Sequence, residues 1–364
     1  MKNKYDVKEF CFVPPPYGGV SVYVKRLINK LNADNYKVGG FYLKTNDHSL
    51  KISPLYDSWK WMQTYLFPIK IWEYLKIVRP YKIVHSHFSL EGMPYFWVIK
   101  NWAKKKIVIT VHNSMVLNSY AQTNVVNRFF LNKMLRSKGV CWITVSEQGK
   151  EQLMSLPVQP ISPVHVIPAY VPIVDIYYTP LPTDLQKYID SHKNCIAFYG
   201  HSFMQNNGID VYGFKSIIDV YADIVNSLSN QIGLVLCISD NHDVKRIEEM
   251  HKYAKFRGVN DFIYWQTGAI DNIRTLWKNV SIYVRPTSTD GDSVAIREAL
   301  DEGTIVIASD VCKRPEGVIT YRFGDEEDLL QKIAVNINCP KKKVKPNFKY
   351  YKMMKNIYDD LLAK

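Results

Sequence analysis

The sequence lacks the marks of several special protein classes. No apolar run reaches the ~18–20 residues that a membrane-spanning helix needs, and no low-complexity stretch interrupts the 364 residues. The N-terminal segment MKNKYDVKEFCFVPPPYGG has too short an apolar stretch for a signal peptide and no small-residue cleavage site. Hydrophobic residues make up 47% of the chain and charged residues 22%, which excludes a disordered protein. We therefore expect a folded, cytoplasmic protein.

Closely paired cysteines are also absent. The six cysteines include no Cys-x-x-Cys pair, and four of them lie in or beside apolar, strand-like runs. This pattern favours reduced thiols in a protein core over disulfides or zinc ligands.

Acidic residues are scarce in the first half of the chain. Residues 1–170 hold 23 basic and 9 acidic side chains, a net charge of +14, whereas residues 171–364 have a net charge of −1. One half therefore carries the whole positive excess. This asymmetry indicates two domains and an anionic partner for the first: membrane lipid, a phosphate-bearing substrate or nucleic acid.

Short apolar runs alternate with helical patterns along the whole chain, which predicts parallel sheets covered by helices. A Pro-rich passage separates six such runs in the first half from six in the second. We predict an α/β protein with two Rossmann-like, doubly wound domains facing across a cleft. The predicted domains are residues 1–171 and 172–340, followed by a C-terminal helix within 341–364 that packs back toward the first domain.

Because ligands of open α/β sheets bind at the carboxyl ends of strands, the loops after the runs are the places to search. The first such loop ends in Gly18-Gly19, immediately before a predicted helix. Glycines there let backbone N–H groups approach a ligand, and a helix N-terminus favours an anion. A plain tight turn is the alternative.

The second loop is Thr289–Ser293, which leads into the helical segment VAIREALDEG. It presents Asp290, an entry at Gly291, and two candidate helix caps, Asp292 and Ser293. Glu298 follows about a turn and a half into the helix. Backbone donors flanked by two carboxylates suit a nucleotide sugar, with the donors on phosphates and the acids on hydroxyl groups. A capped surface helix with an outward-pointing Glu298 is the alternative.

Histidines follow two further strands. His112 closes the run KIVITV and is predicted to point toward the ligand, although a structural role is the alternative. His85 and His87 form a His-x-His pair. The sequence suggests no third ligand for them, so we do not expect a metal site.

Taken in order, the segments PPPYGGVSVYVKRLINKL, KIVHSHF, KIVITVHNS, ITVSEQGKEQL, VHVIPAYV and DGDSVAIREALDEGTIVIASD resemble the retaining glycosyltransferases of family 4, which have the GT-B fold. The resemblance extends from about Phe10 to Leu330. Its most specific motif is an acidic residue, then seven residues of any type, then Glu followed by Ala-Leu-x-x-Gly.

The resemblance implies roles for individual residues. Glu298 matches the residue that holds the nucleotide ribose, and Asp290, a Glu in most of the family, matches the acid at the donor hexose. His112 matches the histidine beside the transferred sugar. The remaining matches contact the donor diphosphate or sugar through the glycine loop and the helix N-terminus: Gly18, Gly19, Asp292, Ser293 and Val294.

One departure from the family pattern concerns the diphosphate. After the first strand of the second domain, the family has an Arg and a Lys that neutralise the leaving group. This chain has His201 and Asn207 at the nearest positions. Because charge develops on the diphosphate in the transition state, another group has to replace the missing cations. Arg285 and Arg297, which flank the acidic loop, are the candidates.

The resemblance predicts a retaining, metal-independent glycosyltransferase without a cofactor. Its donor is expected to be a UDP- or GDP-sugar and its acceptor a glycan or polyprenyl-linked glycan, as in assembly of a bacterial surface polysaccharide. A non-catalytic partner protein with the same fold and a nucleotide-sugar epimerase are the alternatives.

The segment Asp57–Val78 combines tryptophans, tyrosines and lysines at helical spacing, with Pro68 expected to kink or split it. Either it packs on the first sheet or it docks on an anionic membrane. With the +14 charge of residues 1–170, we favour docking on the inner face of the cell membrane. No nucleic-acid binding module is recognisable.

Overall fold

The computed structural model describes residues 4–14, 18–42, 67–88, 90–112, 115–173, 178–206, 208–227, 231–342 and 345–363. The chain divides into two compact units. Unit 1 comprises Met1–Val171 and Asn347–Lys364, and unit 2 comprises Pro172–Pro346. All six cysteines are free thiols. Within the described ranges, no helix is both long and apolar enough to cross a membrane.

Unit 1 contains a parallel sheet with the strand order β2-β1-β3-β4-β5-β6. Its strands are β1 (Tyr5–Val13), β2 (Val38–Tyr42), β3 (Tyr81–Ser86), β4 (Lys106–Val111), β5 (Val140–Thr144) and β6 (Val164–Val166). Central runs such as KIVITV are buried and rich in β-branched residues, as expected for parallel strands covered on both faces.

The helices of both units are numbered together along the chain. Those of unit 1 are α1 (Gly19–Ala33), α2 (Phe67–Val78), α3 (Met93–Asn101), α4 (Val116–Gln122), α5 (Val125–Leu135), α6 (Glu147–Met154) and the C-terminal α13 (Lys349–Ala363). Side chains of α2, α3, α5 and α6 pack on one face of the sheet, around Val84, Ile107 and Ile109. Helices α1 and α13 cover the other face, where Tyr23 contacts the ring of His87 and Tyr358 contacts that of His85.

Helix α2 contains the described part of the tryptophan-rich segment. Its described range, Phe67–Val78, includes Pro68. Three side chains at helical spacing pack in the core of unit 1: Ile71, Tyr74 and Val78. The remainder of the segment, including Trp59, Lys60 and Trp61, lies outside the described residues.

Unit 2 contains a second parallel sheet, with the order β11-β10-β7-β12-β13-β14. Its strands are β7 (Asn194–Gly200), β10 (Ile232–Ile238), β11 (Ile263–Thr267), β12 (Ile282–Arg285), β13 (Ile305–Ser309) and β14 (Val318–Tyr321). A short antiparallel hairpin, β8 (Gln205–Asn206) and β9 (Ile209–Asp210), follows β7.

Alternating side chains of the unit 2 strands enter two separate cores. The helices are α7 (Thr183–Asp190), α8 (Phe214–Ser227), α9 (Val244–Phe256), α10 (Ile273–Asn279), α11 (Val294–Asp301) and α12 (Glu326–Asn336). Phe198 and Val284 pack with α8, α9 and α12. Their neighbours Ala197 and Tyr283 pack with α7, α10 and α11. Because successive side chains of a strand point to opposite faces, helices pack on both faces of this sheet.

This architecture confirms the predicted α/β fold with two parallel sheets. Each of the twelve predicted apolar runs contains a strand of one sheet or the other. The strand order reverses between β1 and β3 in unit 1 and between β7 and β12 in unit 2. At such a switch point the flanking connections leave in opposite directions and open a crevice at the carboxyl ends of the strands.

A close backbone contact fixes the loop beside the second switch point. Gly213 lies between β9 and α8 with φ +80°, and a Cβ there would come within 2.5 Å of the carbonyl oxygen of Pro286, just after β12. Only glycine combines this left-handed conformation with so short an approach.

We predict that Gly213→Ala lowers the free energy of unfolding by more than the ~1–2 kcal/mol of left-handed strain alone. Gly258→Ala is the matched control, because Gly258 has φ +74° and no atom within 4 Å of its added Cβ. Urea unfolding of the two variants measures the difference. Equal losses would show that the contact with Pro286 does not constrain the loop.

Candidate functional site

The predicted acidic loop lies at the carboxyl end of β12, beside the switch point of unit 2. Asp290 is buried in it and accepts hydrogen bonds from two arginines. Arg285 donates from Nε at 2.6 Å and from Nη2 at 3.0 Å, and Arg314 donates from Nη1 at 2.7 Å. Burial opposes ionisation of Asp290, but Arg285 and then Arg314 outweigh it and lower its pKa to about 2.

Arg314 also joins the ends of two neighbouring strands. Its Nε donates to the carbonyl oxygen of Ser309 at the end of β13, and its Nη2 donates to the hydroxyl groups of Ser309 and Thr287. Ser309 in turn donates to the carbonyl oxygen of Thr287 at 2.6 Å. The start of the loop, at Thr287, is therefore held against the end of β13.

A second ion pair lies at the start of α11. Arg297 donates from Nε to both carboxylate oxygens of Asp292, at 2.8 and 2.9 Å. Ser293 is the N-cap and accepts from the backbone N–H of Ile296. The N-terminus of α11, which starts at Val294, therefore lies at the carboxyl end of the sheet.

Glu298 is buried on α11, with 4% of its surface exposed. The alternative of an outward-pointing, solvated carboxylate is therefore wrong. The predicted residues of this loop and helix come together in unit 2: Arg285, Asp290, Asp292, Ser293, Val294 and Glu298. Arg285 and Arg297, the predicted replacements for the missing cations, are each bound to an aspartate of the same loop.

His201 follows β7, the sheet neighbour of β12. Its Nδ1 lies 2.8 Å from the hydroxyl of Ser239, which also accepts from the hydroxyl of Tyr199. The ring of Tyr212 stacks 5.8 Å from the guanidinium of Arg285 and so links the two strand ends. Asn207 lies outside the described residues.

The glycine loop of unit 1 begins α1 at the other switch point. Gly18 is the N-cap, with extended backbone (φ −162°), and forms reciprocal 3.0 Å hydrogen bonds with the hydroxyl of Ser21. A Cβ on Gly18 would meet only the Ser21 Oγ, at 3.8 Å. Among the residues that the structure describes, neither backbone conformation nor packing requires glycine here. Gly19, the first residue of α1, is exposed.

The predicted histidine of unit 1 belongs to a larger buried cluster. Nε2 of His112, at the end of β4, lies 2.9 Å from Nδ1 of His87, and Nε2 of His87 lies 2.8 Å from Oε2 of Glu9. Glu9 lies in the middle of β1 and has no exposed surface. The rings of His87 and His112 both contact Tyr23 of α1.

His85 and the C-terminal helix complete this cluster. Nδ1 of His85 lies 2.5 Å from the hydroxyl of Tyr358 and 3.2 Å from Glu9, while its Nε2 lies 2.7 Å from the hydroxyl of Thr110. Tyr358 also donates to Oε1 of Glu9 at 2.8 Å. The expectation that the His-x-His pair lacks a third ligand is therefore wrong, because the carboxylate of Glu9 from β1 reaches both rings.

Burial sets the protonation of the cluster. Burial, with a further contribution from His85, lowers the pKa of His87 to about 4. Burial and then His87 hold the pKa of His112 well below its usual value. Burial also opposes ionisation of Glu9, but the two histidines outweigh it and lower the pKa of this carboxyl. Burial and then Glu9 raise the pKa of Tyr358. At neutral pH the cluster therefore holds one carboxylate, neutral His87 and His112, and a protonated tyrosine.

Sequence reasoning missed three residues of these sites. Glu9 gives a weak signal, since it is a charged residue inside a strand that is predicted to be buried. Arg314 and Tyr358 give none, because neither belongs to a motif. Tyr358 is 273 residues away from its partner His85.

Comparisons with known proteins support the family resemblance. Residues 17–173 match the family model described as Glycosyltransferase Family 4. The matched residues cover most of the N-terminal part of unit 1. No curated protein matches the chain.

Solved structures match nearly the whole chain. Sucrose-phosphate synthase from Thermosynechococcus elongatus has a TM-score of 0.70 at 16% identity, over 99% of both chains. Anabaena HepE in complex with UDP and glucose has a TM-score of 0.64 at 13% identity, over 99% of this chain and 96% of that one. WaaG, a glycosyltransferase involved in lipopolysaccharide biosynthesis, has a TM-score of 0.65 at 13% identity, over 98% of this chain and 100% of that one. These similarities confirm the predicted GT-B fold.

The buried histidines predict a pH-dependent stability. Because His87 and His112 stay neutral in the folded protein but take up protons in the unfolded chain, stability is full above pH 6.5 and falls as the pH drops toward 4. The shift of His87 alone corresponds to about 3 kcal/mol at the lower end. Unfolding free energies measured between pH 7 and pH 4 test this.

His87→Gln is expected to flatten that pH dependence, since the glutamine does not titrate. His165→Gln, at an exposed position of β6, is the matched control and should leave it unchanged. The interpretation is contradicted if the wild-type protein is equally stable at pH 6.5 and pH 4.5.

Proposed function

We propose that this protein is a retaining glycosyltransferase that moves a sugar from a UDP- or GDP-sugar to a glycan or polyprenyl-linked glycan in bacterial surface polysaccharide synthesis. The observation that carries the proposal is the capped N-terminus of α11, with the buried carboxylate of Glu298 on the same helix, at the switch point of unit 2. Backbone donors at this helix end bind the diphosphate, and Glu298 accepts hydrogen bonds from the ribose hydroxyls.

The charges around this loop suit an anionic donor. Three arginines meet two aspartates there: Arg285 and Arg314 bind Asp290, and Arg297 binds Asp292. Since each guanidinium is bound by a carboxylate, the arginines contribute a fixed local field and the backbone amides provide the contacts. Asp290 keeps Arg285 and the loop in position beside the transferred sugar.

The carbohydrate chemistry is assigned to unit 1. His112 lies at the carboxyl end of β4, and the family resemblance assigns it to the transferred sugar and Gly18 and Gly19 to the donor diphosphate. As the family resemblance implies, the leaving phosphate takes the proton of the acceptor, which gives retention.

Two of the similar structures bear on substrate class. HepE is described in complex with UDP-glucose, and WaaG as involved in lipopolysaccharide biosynthesis. These descriptions support a nucleotide-sugar donor and a surface glycan acceptor here. Metal independence is supported by Asp290 and Asp292, whose carboxylates are bound to arginines, because a divalent ion would have to displace them.

We predict that one sugar nucleotide from a panel of UDP-, GDP- and ADP-sugars raises the melting temperature, since a ligand at ~100 times its Kd adds about 2.7 kcal/mol. Glu298→Ala should weaken that donor by ~1.5–3 kcal/mol, roughly 10- to 100-fold in Kd, because it loses a charged acceptor for ribose. Glu298→Gln should keep part of the affinity. Titration calorimetry measures the effects.

Glu248→Ala, at an exposed position of α9, is the control and should bind the donor normally. Excess EDTA should change neither binding nor transfer. An affinity of Glu298→Ala within a factor of about two of wild type would contradict the assignment. No response to any donor would favour the non-catalytic partner protein.

The proposed location is the cytoplasmic face of the cell membrane, with unit 1 docked on anionic lipid. Helix α5 exposes Val125, Val126 and Phe129, with 81, 53 and 54% of their surfaces accessible. Residues 115–139 contain four basic side chains and no acidic one. Exposed apolar side chains within a basic surface are typical of helices that lie in a membrane interface.

We predict that the protein floats with phosphatidylglycerol-rich vesicles, remains unbound with neutral phosphatidylcholine vesicles, and loses binding as salt is added. The double variant Val125→Glu/Phe129→Glu should lose flotation while keeping its melting temperature, because both side chains are exposed. Val244→Glu/Phe256→Glu on α9 changes equally exposed apolar residues of unit 2 and should still float. Equal flotation of both double variants would exclude α5 as the docking surface.

A further inference from the structure

We infer that a buried hydrogen-bond chain from Glu9 through His87 fixes the ring proton of His112 on Nε2, which makes Nδ1 the acceptor nitrogen of that ring. Glu9 and His87 are then positioning residues for the reaction. This inference rests on the proposed function for its role in glycosyl transfer, whereas the proton positions follow from unit 1 alone.

The chain begins at a group that can only accept. Glu9 is fully buried and ionised, and its oxygens lie within 2.8 Å of the Tyr358 hydroxyl and of Nε2 of His87. A carboxylate in this setting requires donors from its neighbours. His87 must therefore carry its proton on Nε2.

The second step follows from the neutrality of His87. A neutral imidazole with its proton on Nε2 has a lone pair on Nδ1. That atom lies 2.9 Å from Nε2 of His112, which must donate the proton between the two rings. His112 is neutral as well, so its Nδ1 carries no proton, and any group that meets it there has to donate.

The same reasoning accounts for the other members of the cluster. Tyr358 gives its proton to Glu9, so its oxygen accepts from Nδ1 of His85 at 2.5 Å. Nε2 of His85 lies 2.7 Å from the Thr110 hydroxyl. This arrangement supplies a donor to each oxygen of Glu9, and the C-terminal helix contributes to it through Tyr358.

An acceptor at His112 suits the proposed chemistry. A sugar hydroxyl can donate to Nδ1, which orients the ring that is transferred. Positive charge develops on the sugar ring as the diphosphate leaves. A neutral His112 repels that charge less than a protonated His112 would. The fixed tautomer thus keeps a cation away from the reacting carbon while it still offers a hydrogen bond.

The direction of the proton can be measured without substrate. In protein labelled with ¹⁵N-histidine, a correlation across the hydrogen bond should link the Nε2–H of His112 to Nδ1 of His87, with His112→Gln and His87→Gln used for assignment. A proton bound to Nδ1 of His87, or no proton between the rings, would overturn the inference. The direction of the proton is read from the wild-type spectrum, and the two variants serve only to assign its signals.

Variants test the dependence on Glu9. Glu9→Gln brings an N–H into the position of an acceptor, so the His112 Nε2–H correlation should weaken or reverse. Tyr351→Phe is the matched control on the same helix. It removes a hydroxyl that donates to Asp34 outside the cluster and should leave the correlation unchanged. A correlation unaltered in a folded Glu9→Gln protein would show that Glu9 does not direct the chain.

These outcomes separate the inference from the proposed function. If the correlation has the expected direction and no sugar nucleotide binds or reacts, the glycosyltransferase proposal fails and the tautomer assignment stands. If transfer is measured and the proton has the opposite direction, the inference fails alone.

Discussion

A negative charge buried in a protein must be met by hydrogen-bond donors, and each unit of this protein holds such a charge, one in the loop after β12 and one inside β1. In unit 2 the charge is Asp290, bound by Arg285 and Arg314. In unit 1 it is Glu9, bound by His87 and Tyr358. Removing the donors would leave an uncompensated buried charge, which is strongly destabilising. The two carboxylates therefore determine where the surrounding loops and the C-terminal helix can lie.

These networks fix the parts of the sheet edges that a ligand would meet. Arg314 binds Asp290, Thr287 and Ser309, and so connects the loops after β12 and β13. Tyr358 connects α13 to β1 and β3. A site that stabilises developing charge has to be rigid before the substrate arrives, because reorientation of its dipoles during the reaction would cost free energy. Buried ionic contacts give the loops that rigidity.

The fold was predictable from the sequence because it depends on pattern. Alternating apolar runs and helical segments are local features, and every predicted run contains a strand. The order of motifs likewise predicts the acidic loop and His112 as candidate site residues. Contacts between distant residues leave no such pattern: nothing near Tyr358 marks it as a partner of Glu9, and the ion pairs of Arg285 and Arg297 depend on the path of one loop. The burial of Glu298 likewise depends on how α11 packs.

The two buried carboxylates differ in the donors that meet them, and this gives the units different responses to pH. Arginines stay charged throughout the accessible range, and the pKa of Asp290 is lowered to about 2, so its network persists in mild acid. Glu9 is met by His87, whose low pKa makes the unfolded chain the better proton acceptor between pH 6.5 and about 4. We therefore expect acid to weaken unit 1 first. A neutral histidine network is sensitive in this way because its rings both donate and accept, and that property is also what allows it to pass a fixed proton arrangement from Glu9 to His112.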